Sequence, residues 1–186
     1  MKRKNTISIL VENKPGVLAR IAAMFSARNY NIESLAVAET IDPSVSRITC
    51  TALGDEAEIE QIMKQLRKLI DVIRVVNFTT ANGEFITREM ALIKVSAKER
   101  DRAEIMRTSD IFRAKIVDVN RKSLALEVTG DENKINAILA LLEPFGILEI
   151  ARTGQVAISR GPKRLMDRNA GANKTKAPKR ASKGQT

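Results

Sequence analysis

The run Ile7-Ser8-Ile9-Leu10-Val11, followed closely by Asn13-Lys14-Pro15-Gly16-Val17-Leu18, decides how the chain folds. The first run is apolar and alternating, which is typical of a strand. The second run contains a proline and a glycine and then opens a helical pattern, so we predict a strand-to-helix turn. Asn13 can cap or brace that turn, and the fixed φ of Pro15 suits a first helical turn.

The same turn is a candidate site for a small carboxylate. Gly16 has no β-carbon, so another molecule can approach its backbone closely. The first N–H groups of a helix lack intrahelical partners and lie at the positive end of the helix dipole, an arrangement that favours anions. The alternative is a turn that binds nothing, since proline and glycine are common where a strand meets a helix.

Outward from the turn, apolar spacing predicts alternating helices and strands. Asn29 suits the left-handed backbone of a helix exit. The predicted elements are a helix marked by residues 17–28, strands over 32–40 and 47–53, a helix marked by 59–69, and a strand over 72–78. This β-α-β-β-α-β order is that of the ferredoxin-like unit.

The same order returns about 80 residues later, which predicts two tandem units in an α+β chain. The second set is a strand over 90–95, a helix marked by 105–112, a hairpin of 116–119 and 124–128, a helix marked by 135–142 behind a capping Asp131, and strands over 147–152 and 155–160. We therefore divide the chain into 1–80 and 81–161. The second unit lacks the Asn-x-Pro-Gly turn, so only the first is expected to bind a ligand.

The end of the chain has a different composition. The 186 residues carry a formal charge of +10, of which residues 162–186 contribute +7 through eight Lys or Arg and one Asp. Large apolar residues are almost absent there, so the segment cannot bury enough surface to offset the entropy of ordering. We predict a disordered basic tail over 162–186 and a remainder that is only mildly basic, with a net charge of +3.

Composition excludes most catalytic and metal chemistry. There is no histidine and one cysteine, Cys50, which alternates with threonines and shares a face with Ile48 and Ala52. It is therefore predicted to be an inert core residue. No phosphate-binding glycine loop is found. We expect a chain that is not a catalyst by itself and holds no cofactor or metal. Without a membrane span or a signal peptide in the sequence, we also expect a cytoplasmic location.

Several runs of the chain match a known family. They lie within residues 11–18, 25–35, 42–47, 65–72, 111–119, 149–154 and 159–161. The chain resembles the regulatory (small) subunits of acetolactate synthase, also called acetohydroxyacid synthase, over residues 5–161. The Asn-x-Pro-Gly turn alone would indicate only an ACT domain, the small amino-acid-sensing module. The runs Tyr30–Leu35 and Ala151–Gly154 narrow the resemblance to this family.

The resemblance implies an ACT domain followed by an ACT-like C-terminal domain. It also implies a role: the chain activates a catalytic subunit and makes it sensitive to valine in branched-chain amino acid biosynthesis. Thiamine diphosphate, Mg and FAD would belong to that catalytic partner. By similarity, the effector site is formed between the two protomers of a homodimer, from Asn13, Gly16, Val17 and Leu18 of one and Asn31 and Ile32 of the other.

Two other functions are compatible with the sequence. One is an ACT-type amino-acid sensor of a different enzyme. The other is a nucleic-acid-binding protein, because the tail could attract polyanions. Such a protein needs aromatic residues on sheet strands for base stacking, whereas Phe25, Phe112 and Phe145 fall on or beside predicted helices. Nucleic acid is therefore not the expected partner.

Overall fold

The computed structural model describes residues 2–80, 85–162 and Leu165. Two βαββαβ units follow one another in this part of the chain, and each is an antiparallel sheet packed against two helices. The predicted α+β fold of two tandem ferredoxin-like units is confirmed. The predicted joint over 81–84 lies outside the described residues.

The first unit has the strand order β2-β3-β1-β4. Its elements are β1 (Arg3–Glu12), α1 (Val17–Ser26), β2 (Ile32–Glu39), β3 (Val45–Gly54), α2 (Glu56–Leu66) and β4 (Val72–Asn77). Alternate residues of β1 and β3, among them Ile7, Ile9 and Ile48, pack against both helices. Helix α1 ends two residues before the predicted limit, and Asn29 has the expected left-handed backbone, with φ of 55°.

The second unit repeats the arrangement, with the order β6-β7-β5-β8. Its elements are β5 (Phe85–Ser96), α3 (Arg102–Ile111), β6 (Lys115–Val119), β7 (Ser123–Gly130), α4 (Glu132–Leu142), β8 (Ile147–Arg152) and β9 (Val156–Ser159). Strand β5 is longer than predicted, because its first residues, Phe85–Arg88, pair with β9.

A third apolar cluster joins the two units. Leu10 and Phe78, on the face of the first sheet opposite its helices, pack with Ala157 of β9 and with Leu165. Phe78 also stacks on Phe85, with ring centroids 5.6 Å apart. Leu165, which lies within the predicted tail, is only 7% exposed and belongs to this cluster. The tail beyond it lies outside the described residues.

Candidate functional site

The connection between β1 and α1 is a type II turn over Lys14–Val17. Its third residue, Gly16, has φ of 83° and ψ of −9°, and the N–H of Val17 donates to the carbonyl of Lys14 at 3.4 Å. These angles favour glycine at this position, and proline is common one residue earlier. Pro15 therefore lies in the turn rather than in the first helical turn predicted for it, because α1 begins only at Val17.

The backbone at Gly16 faces open space. A β-carbon built on this residue would meet no atom of the described residues within 4 Å. The first helical hydrogen bond is donated by Arg20 to the carbonyl of Gly16 at 3.0 Å, so the N–H of Leu18 precedes the helical ladder. The side chain of Val17 is buried and that of Leu18 is 42% exposed. Val17 can therefore offer a ligand only its backbone, whereas Leu18 can also offer apolar surface.

Asn13 braces the turn against the loop between β2 and β3. Its N–H donates to the carbonyl of Ser44 at 2.7 Å. Its side-chain Nδ2 donates to the carbonyl of Pro43 at 2.9 Å and to Oε1 of Glu39 at 3.0 Å. The capping alternative is wrong, because the N-cap residue is Gly16. Since both N–H groups of Nδ2 already donate, Oδ1 is the side-chain atom left to accept a hydrogen bond from a ligand.

Glu39 is a site residue that the sequence did not indicate. It lies 26 residues after Asn13 and ends a predicted strand, where an acid is usually a solvated surface residue. Only the sheet pairing reveals it. On β3, Ser46 pairs with Glu39 of β2, and the adjacent Val45 pairs with Glu12 of β1, the residue before Asn13. Its carboxylate lies beside Asn13 and could accept from an ammonium group.

Two cations flank the turn. Nζ of Lys14 lies 2.6 Å from a carboxylate oxygen of Glu12, and this hydrogen bond raises the pKa of Lys14 above its usual value. Arg20 extends from α1 to Asp71, with 2.8 Å between Nη2 and Oδ2. Both cations also have an acid partner, so the main attraction for an anion is the open backbone and the helix dipole.

Asn31 and Ile32 lie at the other end of the sheet. Asn31 is exposed, and Ile32 is partly buried against the core. Along β3, Ile32 pairs with Ala52, whereas Glu12 pairs with Val45. Seven residues of strand correspond to about 23 Å at about 3.3 Å per residue. One protomer therefore does not bring these two residues to the turn at Gly16.

The single thiol of the chain is buried. Cys50 is 2% exposed, and burial raises its pKa to about 12, as suits the predicted core residue. Over 2–80, 85–162 and Leu165, no group of three His, Cys, Asp or Glu side chains could hold a metal ion. None of the helices in that part of the chain is long and apolar enough to cross a membrane.

Comparison with known proteins assigns both units. Residues 7–74 match the sequence profile of an acetohydroxyacid synthase small subunit-like ACT domain, and residues 88–161 match that of the small subunit of acetolactate synthase. A probable acetolactate synthase small subunit from Archaeoglobus fulgidus is 50% identical over 161 residues, which cover 87% of this chain and 99% of that protein. The chain belongs to the small subunits of acetolactate synthase.

Two further small subunits support this assignment. The acetolactate synthase small subunit of Mycobacterium leprae is 49% identical over 159 residues, covering 86% of this chain and 93% of that protein. The crystal structure of the acetolactate synthase small subunit from Thermotoga maritima is 42% identical, with a TM-score of 0.79 over 87% of this chain and 99% of that one. The family match and the βαββαβ fold therefore identify the first unit as an ACT domain.

Proposed function

We propose that this small subunit activates the thiamine-diphosphate-dependent catalytic subunit of acetolactate synthase and makes it sensitive to valine in branched-chain amino acid biosynthesis. The observation that carries the proposal is the open Gly16 turn at the start of α1, in a chain of this family. Thiamine diphosphate, Mg and FAD are then cofactors of the catalytic partner. We retain the division into 1–80, 81–161 and 162–186, and the cytoplasmic location, as parts of this proposal.

The geometry of the turn suits a free amino acid. The carboxylate would accept from the N–H groups of Gly16 and Leu18, with the weakly engaged N–H of Val17 between them. The ammonium group would donate to Oδ1 of Asn13 and to Glu39. Valine has about eight heavy atoms, and at about 0.7–1 kcal/mol per atom its Kd would be on the order of micromolar to tens of micromolar.

A homodimer would complete this site. Strand β2 lies at the edge of its sheet, and within the described residues β3 is its only strand partner. Two β2 strands paired antiparallel about a two-fold axis at Ala36 would place the partner's Ile32 opposite Thr40, next to Glu39, which contacts Asn13. The same pairing brings the partner's Asn31 near the turn. Sheet edges offer unpaired backbone groups for such an addition.

Reconstitution of the enzyme tests the proposal. The purified chain is added to the catalytic subunit of the same organism, and acetolactate formation is measured with and without valine, leucine or isoleucine. We expect the chain to raise kcat and valine to reverse part of that gain; the other two amino acids establish the preference. Unchanged activity on adding the chain, or co-purification with nucleic acid or an unrelated enzyme, would contradict it.

A further inference from the structure

The two runs that narrowed the resemblance to this family meet in space. Residues 30–35 begin β2 of the first unit, and residues 151–154 end β8 of the second. The N–H of Gln155 donates to Oγ of Ser34 at 2.9 Å across 121 residues of sequence. Ser34 follows the candidate effector residues Asn31 and Ile32 almost directly. The start of β2 therefore connects the candidate effector site with the second unit.

Gln155 contacts both units with its side chain as well. Oγ1 of Thr6, in β1, donates to Oε1 of Gln155 at 3.4 Å. Nε2 of Gln155 donates to Oε2 of Glu132, the first residue of α4, at 3.3 Å. The backbone and the side chain of this one residue thus join β1 and β2 of the ACT domain to a helix of the second unit.

A salt bridge runs parallel to this contact. Nζ of Lys4 lies 2.5 Å from Oε1 of Glu132 and 3.4 Å from Oε2 of Glu33. Lys4 is half-exposed, so the bridge alone contributes little to stability. Its position matters more. Glu33 and Ser34 are consecutive residues of β2, and they contact Lys4 and Gln155, respectively. Lys4 and Gln155 both contact Glu132 at the start of α4.

Gly154 makes the close approach possible. It has φ of 76°, and a β-carbon built there would lie 2.7 Å from Oγ of Ser34 and 3.4 Å from the carbonyl oxygen of Leu35. The neighbouring residues fix the segment to β5. Thr153 exchanges hydrogen bonds with the backbone of Met90, and Arg152 makes a bidentate contact of 2.5 and 2.7 Å with buried Glu89. Any displacement of Ser34 would therefore meet a part of the second unit that is held firmly.

The pairing of β2 with β3 is irregular between the candidate effector residues and Ser34. The register of β2 on β3 changes between Ile32 and Ser34, which is the position of a β-bulge or similar irregularity. Bulges re-aim the strand on either side of them. A ligand that orders Asn31 and Ile32 on one side of the bulge would change the position of Ser34 on the other.

We infer that the contact between Ser34 and Gly154–Gln155 transmits occupancy of the effector site to the second unit. This rests on the proposed function, since it assumes that the effector contacts the start of β2. Ser34 and Gln155 act as positioning residues: they do not contact the effector, but they couple the ACT domain to α4 and β9. Removing the Ser34 hydroxyl should uncouple regulation while leaving effector binding in place.

The test compares Ser34→Ala with Ser26→Ala, a matched substitution at an exposed serine of α1. Valine Kd is measured on each purified chain by calorimetry, and hydrogen exchange of residues 132–138 and 154–159 is measured with and without valine. We expect all chains to bind valine with Kd within about threefold of one another. Valine should slow exchange of both segments in wild type and Ser26→Ala, and the effect should fall about tenfold in Ser34→Ala, a size typical of allosteric coupling.

The reconstituted complex gives the functional readout. With Ser34→Ala, saturating valine should leave most of the activity, while the thermal midpoint stays near that of Ser26→Ala, which separates lost coupling from lost folding. The inference would be overturned, with the proposed function left intact, if valine inhibited the Ser34→Ala complex as strongly as wild type, or slowed exchange of residues 154–159 in Ser34→Ala as much as in wild type. A wild-type chain that binds no valine would instead contradict the proposed function.

Discussion

Gly16 carries the candidate site because its backbone combines a left-handed conformation with an open approach. Its φ of 83° favours a residue without a β-carbon, and the space where that carbon would lie is empty of atoms of the described residues. Asparagine and aspartate tolerate this region best among the other residues. Aspartate and asparagine would bear the same backbone strain at this position and have nearly the same shape, so a comparison of the two isolates the charge of the side chain.

Gly16→Asp should abolish most valine sensitivity, whereas Gly16→Asn should retain much of it. A carboxylate about 4 Å from the carboxylate of valine costs about 1 kcal/mol in water and about 4 kcal/mol near a protein surface. The half-inhibitory valine concentration should therefore rise about 5-fold to 1000-fold for the aspartate variant. Inhibition assays on the reconstituted complex measure this. Equal responses of the two variants would show that no carboxylate binds here.

At the scale of an element, β2 is the part of the fold on which most of the proposed regulation depends. It is an edge strand, it carries Asn31 and Ile32 at its start and Glu39 at its end, and it contacts the second unit through Ser34. Its side chains Leu35 and Val37 are 37% and 45% exposed in the single protomer. Apolar residues on an open edge are expected where another strand adds to the sheet.

Val37→Lys should weaken the homodimer and, with it, valine binding. Lysine on an edge strand opposes strand addition, and a two-fold axis would bring two such charges close together. Ile73→Lys on β4, the opposite edge of the same sheet, is the matched control, since Ile73 is 54% exposed. We expect the dimer Kd, measured by sedimentation, to rise at least about tenfold for Val37→Lys only. A dimer weakened equally by both variants would contradict pairing through β2.

Leu165 shows that the chain beyond Gly161 contributes to packing. Leu165→Ala should lower the free energy of unfolding by about 1–3 kcal/mol, because it removes apolar surface from the cluster that joins the two units. Ile41→Ala, at a fully exposed position, should change it by no more than about 0.5 kcal/mol. Urea unfolding measures both values. An unchanged midpoint for Leu165→Ala would show that this cluster does not need the residue.

The elements could be predicted from sequence where apolar residues follow a single period. The helices around Ile21 and Ile62, and a strand such as β7, have one buried face, so their spacing is visible. The first and last residues of each element were harder to predict. β1 extends back to Arg3 because polar Asn5 and Thr6 are buried by neighbours distant in sequence, including a hydrogen bond from Nδ2 of Asn77 to Asn5.

The site was predicted only in part for the same reason. A turn is local, so Gly16 and its neighbours could be found from their residue types. Glu39 reaches Asn13 only through the pairing of three strands, and Leu165 reaches Phe78 only after the second unit has folded onto the first. Contacts of this kind depend on long-range geometry, which residue spacing does not contain.

Across the whole molecule, the βαββαβ arrangement occurs twice, but only the first unit has the open turn before its first helix. In the second unit α3 is preceded by a short helix over Glu99–Asp101, and Glu104 lies in its first turn. The cations Lys98, Arg100 and Arg102 lie among these acids, so this helix start differs from that of α1 by its missing Asn-x-Pro-Gly turn rather than by its charge. The second unit would therefore receive the signal rather than bind the effector.

This division of roles predicts one valine per chain. Calorimetric titration of the purified wild-type chain should give a stoichiometry near one, and Gly16→Asp should raise the Kd of that single site about 5-fold to 1000-fold. A stoichiometry near two would show that the second unit also binds valine. A binding event that keeps the wild-type Kd in the Gly16→Asp titration would lead to the same conclusion.

The most direct test of the central claim is a crystal structure of the chain with valine. The claim predicts the carboxylate of valine within hydrogen-bond distance of the backbone N–H groups at Gly16–Leu18, and the ammonium group beside Asn13. It also predicts the partner's Ile32 against the aliphatic side chain. Valine bound elsewhere on the chain, or no valine in crystals grown at saturating concentration, would contradict the claim.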